Sequence, residues 1–465
     1  MKINNICCIG AGYVGGPSMA VIAYKCPNIQ INVVDINCER IKQWNQKDLS
    51  KLPIYEPGLD EIIEKCRGVN LHFSTDIEKN IAKADMIFIS VNTPTKTEGH
   101  GAGFAIDLKW VEASARKISE FGTGETIVVE KSTLPVKTAQ TIKEILELSS
   151  KKSPNNKIFH VLSNPEFLAE GTAINDLINP ARILIGGSHD KSIKSLSNIY
   201  SNWIDQDKII TTNLWSSELS KLIANAFLAQ RVSSINSVSA ICESTGANIQ
   251  DVALAIGKDH RIGEYFLNAG PGFGGSCFKK DILNLVYICN HYGLHEVSQY
   301  WQQIININDW QKKRISKLIV QKLFGTISGK KIAIFGFAFK ANTNDTRESP
   351  AISISNELIS EGATLSFYDP KVNLLQIEKE LNIENHKSEM PKGNSKWSFH
   401  YDKYESIINA DALIILTDAD EFKFLDWGKI SKNMRAPAWI FDTKGFCNST
   451  EIQKFGLKLW TIGIG

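Results

Sequence analysis

The sequence lacks most features that mark secreted, membrane or nucleic-acid-binding proteins. Its nine cysteines are odd in number and include no CxxC pair, so no disulfide framework is expected. No apolar run reaches membrane-span length, and Met1-Lys2-Ile3 leads into a short strand rather than an apolar leader. A net charge of +2 gives no electrostatic footprint for nucleic acid or an anionic membrane. These features predict a cytoplasmic protein that binds neither nucleic acid nor membrane.

The composition is otherwise that of an ordinary globular protein. The nine histidines show no ligand spacing, so no metal site is predicted. Hydrophobic residues make up 43% and charged residues 22% of the chain. At 465 residues the chain exceeds one usual hydrophobic core, which predicts two or three domains. The polar stretches 149–156 and 391–396 are expected to be surface loops.

The N-terminal segment carries a dinucleotide-binding fingerprint. A short apolar strand (6–9) precedes Gly10-Ala11-Gly12-Tyr13-Val14-Gly15 and an apolar helix (18–24), and a second strand (31–34) ends in Asp35. The glycines admit a pyrophosphate to the helix N-terminus. Because Asp35 can accept from ribose hydroxyls and would repel a 2′-phosphate, the pattern predicts NAD rather than NADP as the cofactor.

Each of three further predicted strands is followed by a polar loop that contains proline. These loops are 92–95, 131–135 and 163–171. In a doubly wound sheet the carboxyl ends of the strands face the ligand crevice, so these loops are expected to line one site. Polar loops are also normal surface, and for any single residue that alternative stays open.

The pattern turns helical from Ser216, where Ser216, Ser217 and Glu218 look like a cap and a first-turn acid. Ser217, Lys221 and Asn225 form an i, i+4 polar stripe on this otherwise apolar helix, which runs to Gly246. A semi-buried lysine there would be a functional candidate. A solvated stripe explains the same spacing, and the spacing alone favours it.

The most distinctive stretch is Gly272-Phe273-Gly274-Gly275-Ser276-Cys277-Phe278-Lys279-Lys280-Asp281. The glycines allow a tight turn and close approach to a ligand, and the apolar spacing that follows places Cys277 at the start of a helix. A thiol at the positive end of a helix dipole is predisposed to ionise, and Asp281 lies one turn further on. The stretch indicates a nucleophile beside a carboxylate that handles water; the alternative is a small buried cysteine after a turn.

A third segment repeats the order of the first. A strand (331–335) leads to Gly336, a second strand (365–368) ends in Asp369, and a third (412–416) ends in Thr417. The second and third glycines of the fingerprint are missing, so a nucleotide held differently, not a second NAD, is expected. The predicted fold class is α/β, with two Rossmann-like doubly wound domains joined by a central helical domain with one long helix. The predicted domains are 1–213 for NAD, 214–328 for dimerisation and the cysteine, and 329–465 for the second nucleotide, which the family resemblance given next implies is a UDP-sugar.

The motifs together resemble the UDP-glucose/GDP-mannose dehydrogenase family, and within it the animal-type UDP-glucose 6-dehydrogenases. The resemblance covers nearly the whole chain and rests on CCIGAGYVGGP (7–17), VVDIN (33–37), LPIYEPGL (52–59), ISVNTPTKT (89–97), EKSTLPV (130–136), LSNPEFLAEGTA (162–173), WSSELSKLIANAFLAQR (215–231), GFGGSCFKKD (272–281) and GFAFKANTNDTRESP (336–350). The last four of these stretches distinguish the family from other Rossmann dehydrogenases.

The resemblance implies a four-electron oxidation of UDP-glucose to UDP-glucuronate that reduces two NAD per turnover. Cys277 would capture the C6 aldehyde as a thiohemiacetal, and the thioester formed from it would be hydrolysed. The resemblance gives acid/base or oxyanion roles to Glu166 and Lys221, assigns water handling to Asp281 and Thr133, and makes Asn225 the sixth catalytic residue. A dehydrogenase of a related nucleotide sugar (a UDP-N-acetylhexosamine or GDP-mannose), a two-electron alcohol dehydrogenase with a structural Cys277, and a non-catalytic binding protein are the alternatives.

The resemblance also implies two sets of contacts. The cofactor set is Gly10, Ala11, Gly12, Tyr13, Val14, Gly15, Asp35, Arg40, Val91, Asn92, Thr93, Pro94, Thr95, Ser132, Thr133, Leu134, Glu170, Cys277, Phe278, Lys279, Lys280 and Arg347. The substrate set is Glu166, Phe167, Leu168, Ala169, Glu170, Lys221, Leu222, Ile223, Ala224, Asn225, Arg261, Asn268, Ala269, Gly270, Pro271, Gly272, Phe273, Gly274, Phe339, Lys340 and Lys444.

The implied assembly is a homo-oligomer with a dimer as its building block and a hexamer as the expected form. Arg261 would reach the substrate of a neighbouring subunit. The sequence departs from the family near its C-terminus, where Lys444 in Phe441-Asp442-Thr443-Lys444-Gly445 takes the place of the usual arginine. A lysine replaces a bidentate fork by a point charge, which bears on UDP-sugar affinity.

Overall fold

A computed structural model of the chain describes residues 1–150, 157–381 and 396–465. Most of the two polar stretches expected as loops, 149–156 and 391–396, lies outside these ranges. The described chain forms two compact units, 1–224 and 225–465. The boundaries of the three predicted domains stay a prediction.

The first unit is built on an eight-stranded sheet. Its strands are β1 (Asn5–Ile9), β2 (Gln30–Val34), β3 (Leu71–Ser74), β4 (Met86–Ile89), β5 (Glu125–Glu130), β6 (Ile158–Ser163), β7 (Ile183–Gly186) and β8 (Ile209–Thr212). The order is β3-β2-β1-β4-β5-β6-β7-β8, and the described pairings are parallel except β6 with β7. The first six strands thus follow the Rossmann order. Apolar side chains on both faces bury this sheet, as the continuous apolar runs predict.

Helices lie between the strands of this sheet along the chain. They are α1 (Gly15–Lys25), α2 (Cys38–Trp44), α3 (Leu59–Cys66), α4 (Ile77–Lys83), α5 (Lys109–Phe121), α6 (Thr138–Ser150), α7 (Ala173–Ile178) and α8 (Asp190–Tyr200). The long helix α9 (Leu214–Thr245) follows, and the boundary between the units falls within it. It begins two residues before the predicted start, and Asn213 rather than Ser216 supplies the capping oxygen, accepting from Ser216 N–H at 2.8 Å.

The second unit combines helices with a six-stranded parallel sheet. Its helices are α10 (Ile249–Gly257), α11 (Phe278–His291), α12 (His295–Lys322), α13 (Pro350–Ser360), α14 (Leu374–Leu381), α15 (Lys403–Ser406), α16 (Trp427–Asn433) and α17 (Ser449–Lys454). Its strands are β9 (Lys331–Phe335), β10 (Thr364–Tyr368), β11 (Trp397–Phe399), β12 (Ala412–Ile415), β13 (Trp439–Asp442) and β14 (Lys458–Thr461).

The strand order β11-β10-β9-β12-β13-β14 repeats the Rossmann order of the first unit. All five pairings are parallel. The predicted fold class, with two Rossmann-like sheets and a long helix in the middle of the chain, is confirmed. Over the described ranges, none of the helices is long and apolar enough to cross a bilayer.

Candidate active site

The turn after β1 can pack closely against the sheet only because two of its positions are glycine. Gly10 has φ +109°, and a Cβ there would lie 2.2 Å from the carbonyl oxygen of Ser90. A Cβ on Gly15 would lie 2.1 Å from the carbonyl of Gly10. At Gly12 the nearest atom to an added Cβ is Arg40 Nη1 at 4.0 Å, so the outer side of the turn is open. The loop is packed against the sheet on one side and accessible on the other.

The same turn presents groups that suit NAD. Helix α1 begins at Gly15 with no side-chain cap at Val14. Gly16 N–H donates to the Gly12 carbonyl at 3.0 Å and Pro17 has no N–H, so the start of the helix offers an anion mainly the positive end of its dipole. Asp35 accepts from Ala11 N–H at 2.9 Å and from Asn37 N–H at 2.9 Å, and Arg40 Nη1 lies 4.0 Å from its carboxylate. These residues fit the cofactor that the fingerprint predicts.

Two loops of the predicted cofactor set lie side by side after β4 and β5. Ser132 Oγ donates to the carbonyl of Val91 at 2.8 Å, and Thr93 Oγ1 donates to the carbonyl of Thr133 at 3.3 Å. These bonds place 91–95 beside 132–134 at the carboxyl edge of the sheet, as expected for a ligand crevice.

Three of the predicted catalytic side chains meet in the first unit. Glu166 Oε1 accepts from Thr133 Oγ1 at 3.3 Å and lies 3.8 Å from Lys221 Nζ. Glu166 and Lys221 are 8% and 5% exposed, so their interaction is little weakened by solvent. Phe167 packs beneath the Arg182 guanidinium at 3.8 Å. The arrangement places the Lys221 amino group and the Glu166 carboxyl group, two candidates for acid/base chemistry, in one buried cluster with Thr133.

The polar stripe on α9 is buried. Ser217 and Asn225, like Lys221, are less than 9% exposed. The spacing favoured a stripe exposed to solvent, and that prediction is wrong. Helical spacing reports which residues share a face. Whether that face meets solvent depends on packing that the spacing does not contain.

In the second unit, Cys277 stands at the N-cap of α11 and is exposed. The alternative of a small buried cysteine is therefore wrong. Asp281 N–H donates to the Cys277 carbonyl at 2.9 Å, and the Asp281 carboxylate, fully buried, accepts from Asn225 Nδ2 at 2.6 Å. An accessible thiol thus sits one turn from a carboxylate whose direction is fixed by an amide.

Residues of both predicted contact sets surround the glycine loop before Cys277. Gly275 N–H donates to the Arg347 carbonyl at 2.8 Å, and Lys279 Nζ pairs with Glu348 at 2.8 Å. A Cβ on Gly274 would lie 2.9 Å from Cβ of Phe339, and one on Gly270 would lie 3.9 Å from Lys444 Nζ. The structure therefore brings 270–275, Phe339, Arg347 and Lys444 together.

Arg261 lies apart from these groups. Its guanidinium pairs with Asp259 at 2.6 Å and is 78% exposed. Over the described ranges, no cluster of three or more His, Cys, Asp or Glu side chains could hold a metal ion.

Sequence reasoning missed a buried carboxyl pair. Glu218, predicted as a first-turn acid of the helix, is 3% exposed and accepts from Lys137 N–H and Ala139 N–H, both at 2.7 Å. It also shares a hydrogen bond with Glu130, the last residue of β5. Burial and the neighbouring Glu218 raise the pKa of Glu130 well above its usual range, so Glu130 holds the proton of the pair. Residues about 80 positions away in the chain complete this group, and no local spacing signals that.

Comparisons with known proteins bear on the family to which the chain belongs. The chain matches three models of the UDP-glucose/GDP-mannose dehydrogenase family: the NAD binding domain over 4–204, the central domain over 215–310 and the UDP binding domain over 333–449. UDP-glucose 6-dehydrogenase 3 of Oryza sativa subsp. japonica is 54% identical over 98% of this chain and 96% of its own length. UDP-glucose 6-dehydrogenase of Drosophila melanogaster is also 54% identical, with the same coverage.

A solved structure supports the fold over the full length. That of a UDP-glucose dehydrogenase from Pyrobaculum islandicum has a TM-score of 0.83 at 26% identity and covers 100% of this chain and 98% of that one. The fold and the matches define an NAD-dependent oxidoreductase that acts on CH–OH groups. This chain belongs to the UDP-glucose/GDP-mannose dehydrogenase family.

Proposed function

We propose that the chain is a UDP-glucose 6-dehydrogenase that oxidises the C6 hydroxyl of UDP-glucose to a carboxylate in two steps, with two NAD reduced. The observation that carries the proposal is the exposed Cys277 thiol at the head of α11, one turn from the buried Asp281. The names of the relatives that share 54% of the sequence support the substrate.

The cofactor set in the first unit would hold NAD, with its diphosphate on the uncapped start of α1 and its ribose at Asp35. NAD, when bound, accepts the hydride in each oxidation. Two oxidations of one carbon differ in difficulty, because an unhydrated aldehyde has no hydroxyl-bearing carbon from which a second hydride can leave.

Lys221 and Glu166 supply the acid/base chemistry of the first oxidation. The buried pair takes the proton of the C6 hydroxyl as the alcohol becomes an aldehyde, and Thr133 keeps the Glu166 carboxylate oriented. An ammonium also stabilises negative charge that develops on the C6 oxygen.

Cys277 makes the second oxidation possible. Its sulfur forms a bond to C6, the aldehyde oxygen becomes the hydroxyl of a thiohemiacetal, and loss of hydride and the hydroxyl proton gives a thioester. Asp281 then takes a proton from the attacking water, the C–S bond breaks, and the thiol and UDP-glucuronate are released. Asn225 holds Asp281 in the direction that this step requires.

The substrate set of the second unit would hold the nucleotide sugar. We assign the glycine loop 270–274 and Phe339 to close contact with the substrate, since Phe339 packs against the loop at Gly274 and Lys444 lies beside the loop at Gly270. Lys444 offers a point charge, partly directed to Asp418 at 3.6 Å.

We also propose a homo-oligomer with a dimer as its building block and a hexamer as its full form. Exposed apolar residues flank Arg261: Tyr265 is 84% exposed, and Ile262 and Phe266 are 42% exposed. Such a patch is typical of a subunit contact, and Arg261 at its edge would reach the partner's substrate. Sedimentation velocity of the full chain tests this, and a monomer at micromolar concentration would contradict it. Nine cysteine thiols suit the cytoplasm, the location we propose.

Cys277→Ser tests the mechanism. Because a serine hydroxyl is scarcely ionised at neutral pH, turnover is expected to fall by about a thousandfold, with reaction arrested after one oxidation. NADH formed per UDP-glucose consumed should be two for the wild type. Cys38→Ser, at another exposed cysteine, is the matched control and should keep full activity.

Intact-protein mass spectrometry of quenched wild-type reactions should show sugar attached to Cys277. Full turnover by Cys277→Ser would refute the covalent route. A panel of UDP- and GDP-sugars tests the substrate, and a clear preference for a sugar other than UDP-glucose would contradict the proposal.

A further inference from the structure

Three buried amide side chains outside the predicted site hold the glycine loop that precedes Cys277. They are Asn236 on α9 and Asn308 and Gln311 on α12, and each is at most 3% exposed. On α12 they share the apolar face of Trp301, Ile304, Ile305, Ile315 and Ile319. Burying a polar group without a hydrogen bond costs free energy of folding. The hydrogen-bond partners of these amides therefore indicate what the side chains do.

Asn308 binds the backbone of Phe273 with both ends of its amide. Its Oδ1 accepts from Phe273 N–H at 2.8 Å, and its Nδ2 donates to the Phe273 carbonyl at 3.1 Å. The side chain thus pairs with the loop as a neighbouring strand would. Gly272, at φ +121°, permits this approach, because a Cβ there would lie 2.8 Å from Asn308 Oδ1.

Gly270 is held from both sides. Its N–H donates to Asn236 Oδ1 at 2.8 Å, and its carbonyl accepts from Gln311 Nε2 at 2.8 Å. The orientation of the Gln311 amide is fixed because its Oε1 accepts from Arg314 Nε at 3.1 Å, and a guanidinium can only donate.

Arg314 is itself fixed. It pairs with Glu243 at 2.6 Å and donates to Ser239 Oγ at 3.2 Å. Beyond the amides, Gly275 N–H is bound by the Arg347 carbonyl. The loop is therefore fixed at 270, 273 and 275, and the last of these is two residues before the thiol.

We infer that Asn236, Asn308 and Gln311 are positioning residues that set the place of the Cys277 thiol by clamping the backbone of 270–273. We call these three side chains the amide clamp. The inference rests on the proposed function only in taking Cys277 as the nucleophile. Displacement of a reacting group by about 1 Å costs on the order of a hundredfold in rate, so a loop held by main-chain bonds is a catalytic requirement rather than only a structural one.

Two near-isosteric substitutions test the clamp. Asn308→Asp replaces the donor to the Phe273 carbonyl with an acceptor, and Gln311→Glu does the same at Gly270 while its charge is compensated by Arg314. Asn306→Asp and Gln303→Glu, at exposed positions of the same helix, introduce the same charges without touching the loop. The full-length variants are compared by hydrogen exchange of the 268–278 segment and by turnover of UDP-glucose with NAD.

Both clamp variants are expected to exchange the loop amides about tenfold faster and to lose at least about tenfold in kcat, with the KM for NAD within about twofold. Both controls should match the wild type. Unchanged exchange, or a kcat within twofold of the controls, would overturn the inference; if Asn308→Asp does not fold, Gln311→Glu decides. A wild type that forms no NADH from UDP-glucose would instead refute the proposed function, and the exchange result would still decide whether the clamp holds the loop.

Discussion

The two sheets follow one plan up to the helix that comes after each glycine turn. Gly10 after β1 and Gly336 after β9 both have positive φ, +109° and +88°. The next strand ends in an aspartate that accepts from the turn: Asp35 from Ala11 N–H, and Asp369 from Phe337 N–H and Ala338 N–H. The repeat predicted from the strand and aspartate pattern is thus present in the hydrogen bonds.

The helices that follow differ, and the difference separates two kinds of nucleotide site. Helix α1 begins one turn after Gly10 and has no side-chain cap. Helix α13 begins only at Pro350, and the Ser349 hydroxyl caps it by accepting from Ala351 N–H. No side chain therefore occupies the start of the helix in the first sheet, where a diphosphate could bind, whereas the Ser349 hydroxyl occupies it in the second. This supports one NAD per chain and a differently held nucleotide in the second unit.

Alanine at Gly10 and at Gly336 is expected to have the largest effect on nucleotide binding. A Cβ on Gly10 would meet the Ser90 backbone oxygen at 2.2 Å, whereas one on Gly336 would meet the Thr417 hydroxyl at 2.1 Å. Gly10→Ala is expected to weaken NAD binding at least about a hundredfold and to spare UDP binding, and Gly336→Ala should do the reverse. Titration calorimetry with NAD and with UDP measures both.

A rescue variant separates the two clashes. Because a side chain can be shortened and a backbone oxygen cannot, Thr417→Gly should restore part of the UDP affinity of Gly336→Ala. No substitution at Ser90 should rescue Gly10→Ala. Equal loss of both ligands in both glycine variants would show that the two turns do not serve separate nucleotides.

Asparagine at Asp35 and at Asp369 is expected to give the next largest difference, in the preference between NAD and NADP. Asp35→Asn keeps an oxygen for Ala11 N–H but removes the charge that repels a 2′-phosphate. We expect kcat/KM for NAD to fall about tenfold and the NADP-to-NAD ratio of kcat/KM to rise at least tenfold. Asp369→Asn, the matched change in the second sheet, should leave that ratio unaltered. An unchanged ratio in Asp35→Asn would contradict the placement of the ribose.

The carboxylates that end β5 and β13 occupy the same place in the two sheets and have opposite surroundings. Glu130 shares a proton with Glu218, near the Glu166 carboxylate, while Asp442 accepts from the N–H groups of Lys444, Gly445 and Cys447. A raised native pKa means that the folded chain keeps a proton that the unfolded chain releases. Glu130 therefore lowers the free energy of unfolding as pH rises above 4.5, the ordinary pKa of a glutamate side chain.

Glu130→Gln should thus stabilise the protein at pH 8, because glutamine is neutral and can still donate to Glu218. The gain is expected to shrink as pH falls toward 4.5, at up to about 1.4 kcal/mol per pH unit. Asp442→Asn should destabilise by about 1–3 kcal/mol at pH 8, since an amide group cannot accept all three N–H bonds. Urea unfolding at several pH values measures both, and a pH-independent gain in Glu130→Gln would argue against a proton on Glu130.

Features that depend on residues close together in the sequence could be predicted, and features that depend on residues far apart in the sequence could not. Gly10, Asp35 and the start of α11 at Cys277 are set by local spacing, and the structure places them as predicted. The edge strands β3 and β8 were not predicted because polar or exposed residues interrupt their apolar pattern, whereas β4 and β7, also of four residues, are buried throughout. The sequence predicts Glu218 only as a first-turn acid, because its partners, Lys137 and Ala139, lie about 80 residues away in the chain.

The amide clamp shows the same limit and also a signal that was available. Asn308 and Gln311 interrupt an apolar stripe of α12 at helical spacing, which marks them as buried polar groups in need of partners. The sequence does not say that the partner is the glycine loop. The roles of the site residues remain predictions that the experiments above address.

The smallest effect concerns Lys444, which stands where the family usually has arginine. Lys444 Nζ lies 3.6 Å from Asp418 and close to Gly270, so the ammonium is shared between a carboxylate and the loop that would hold the substrate. Lys444→Arg supplies a planar fork that can bind a diphosphate or sugar oxygen with two parallel bonds. The KM for UDP-glucose is expected to fall about fivefold, equivalent to about 1 kcal/mol, with the KM for NAD unchanged.

Lys423→Arg, at an exposed lysine that pairs with Asp420, is the matched control and should change neither KM. A KM for UDP-glucose that stays constant or rises in Lys444→Arg would remove Lys444 from the substrate set.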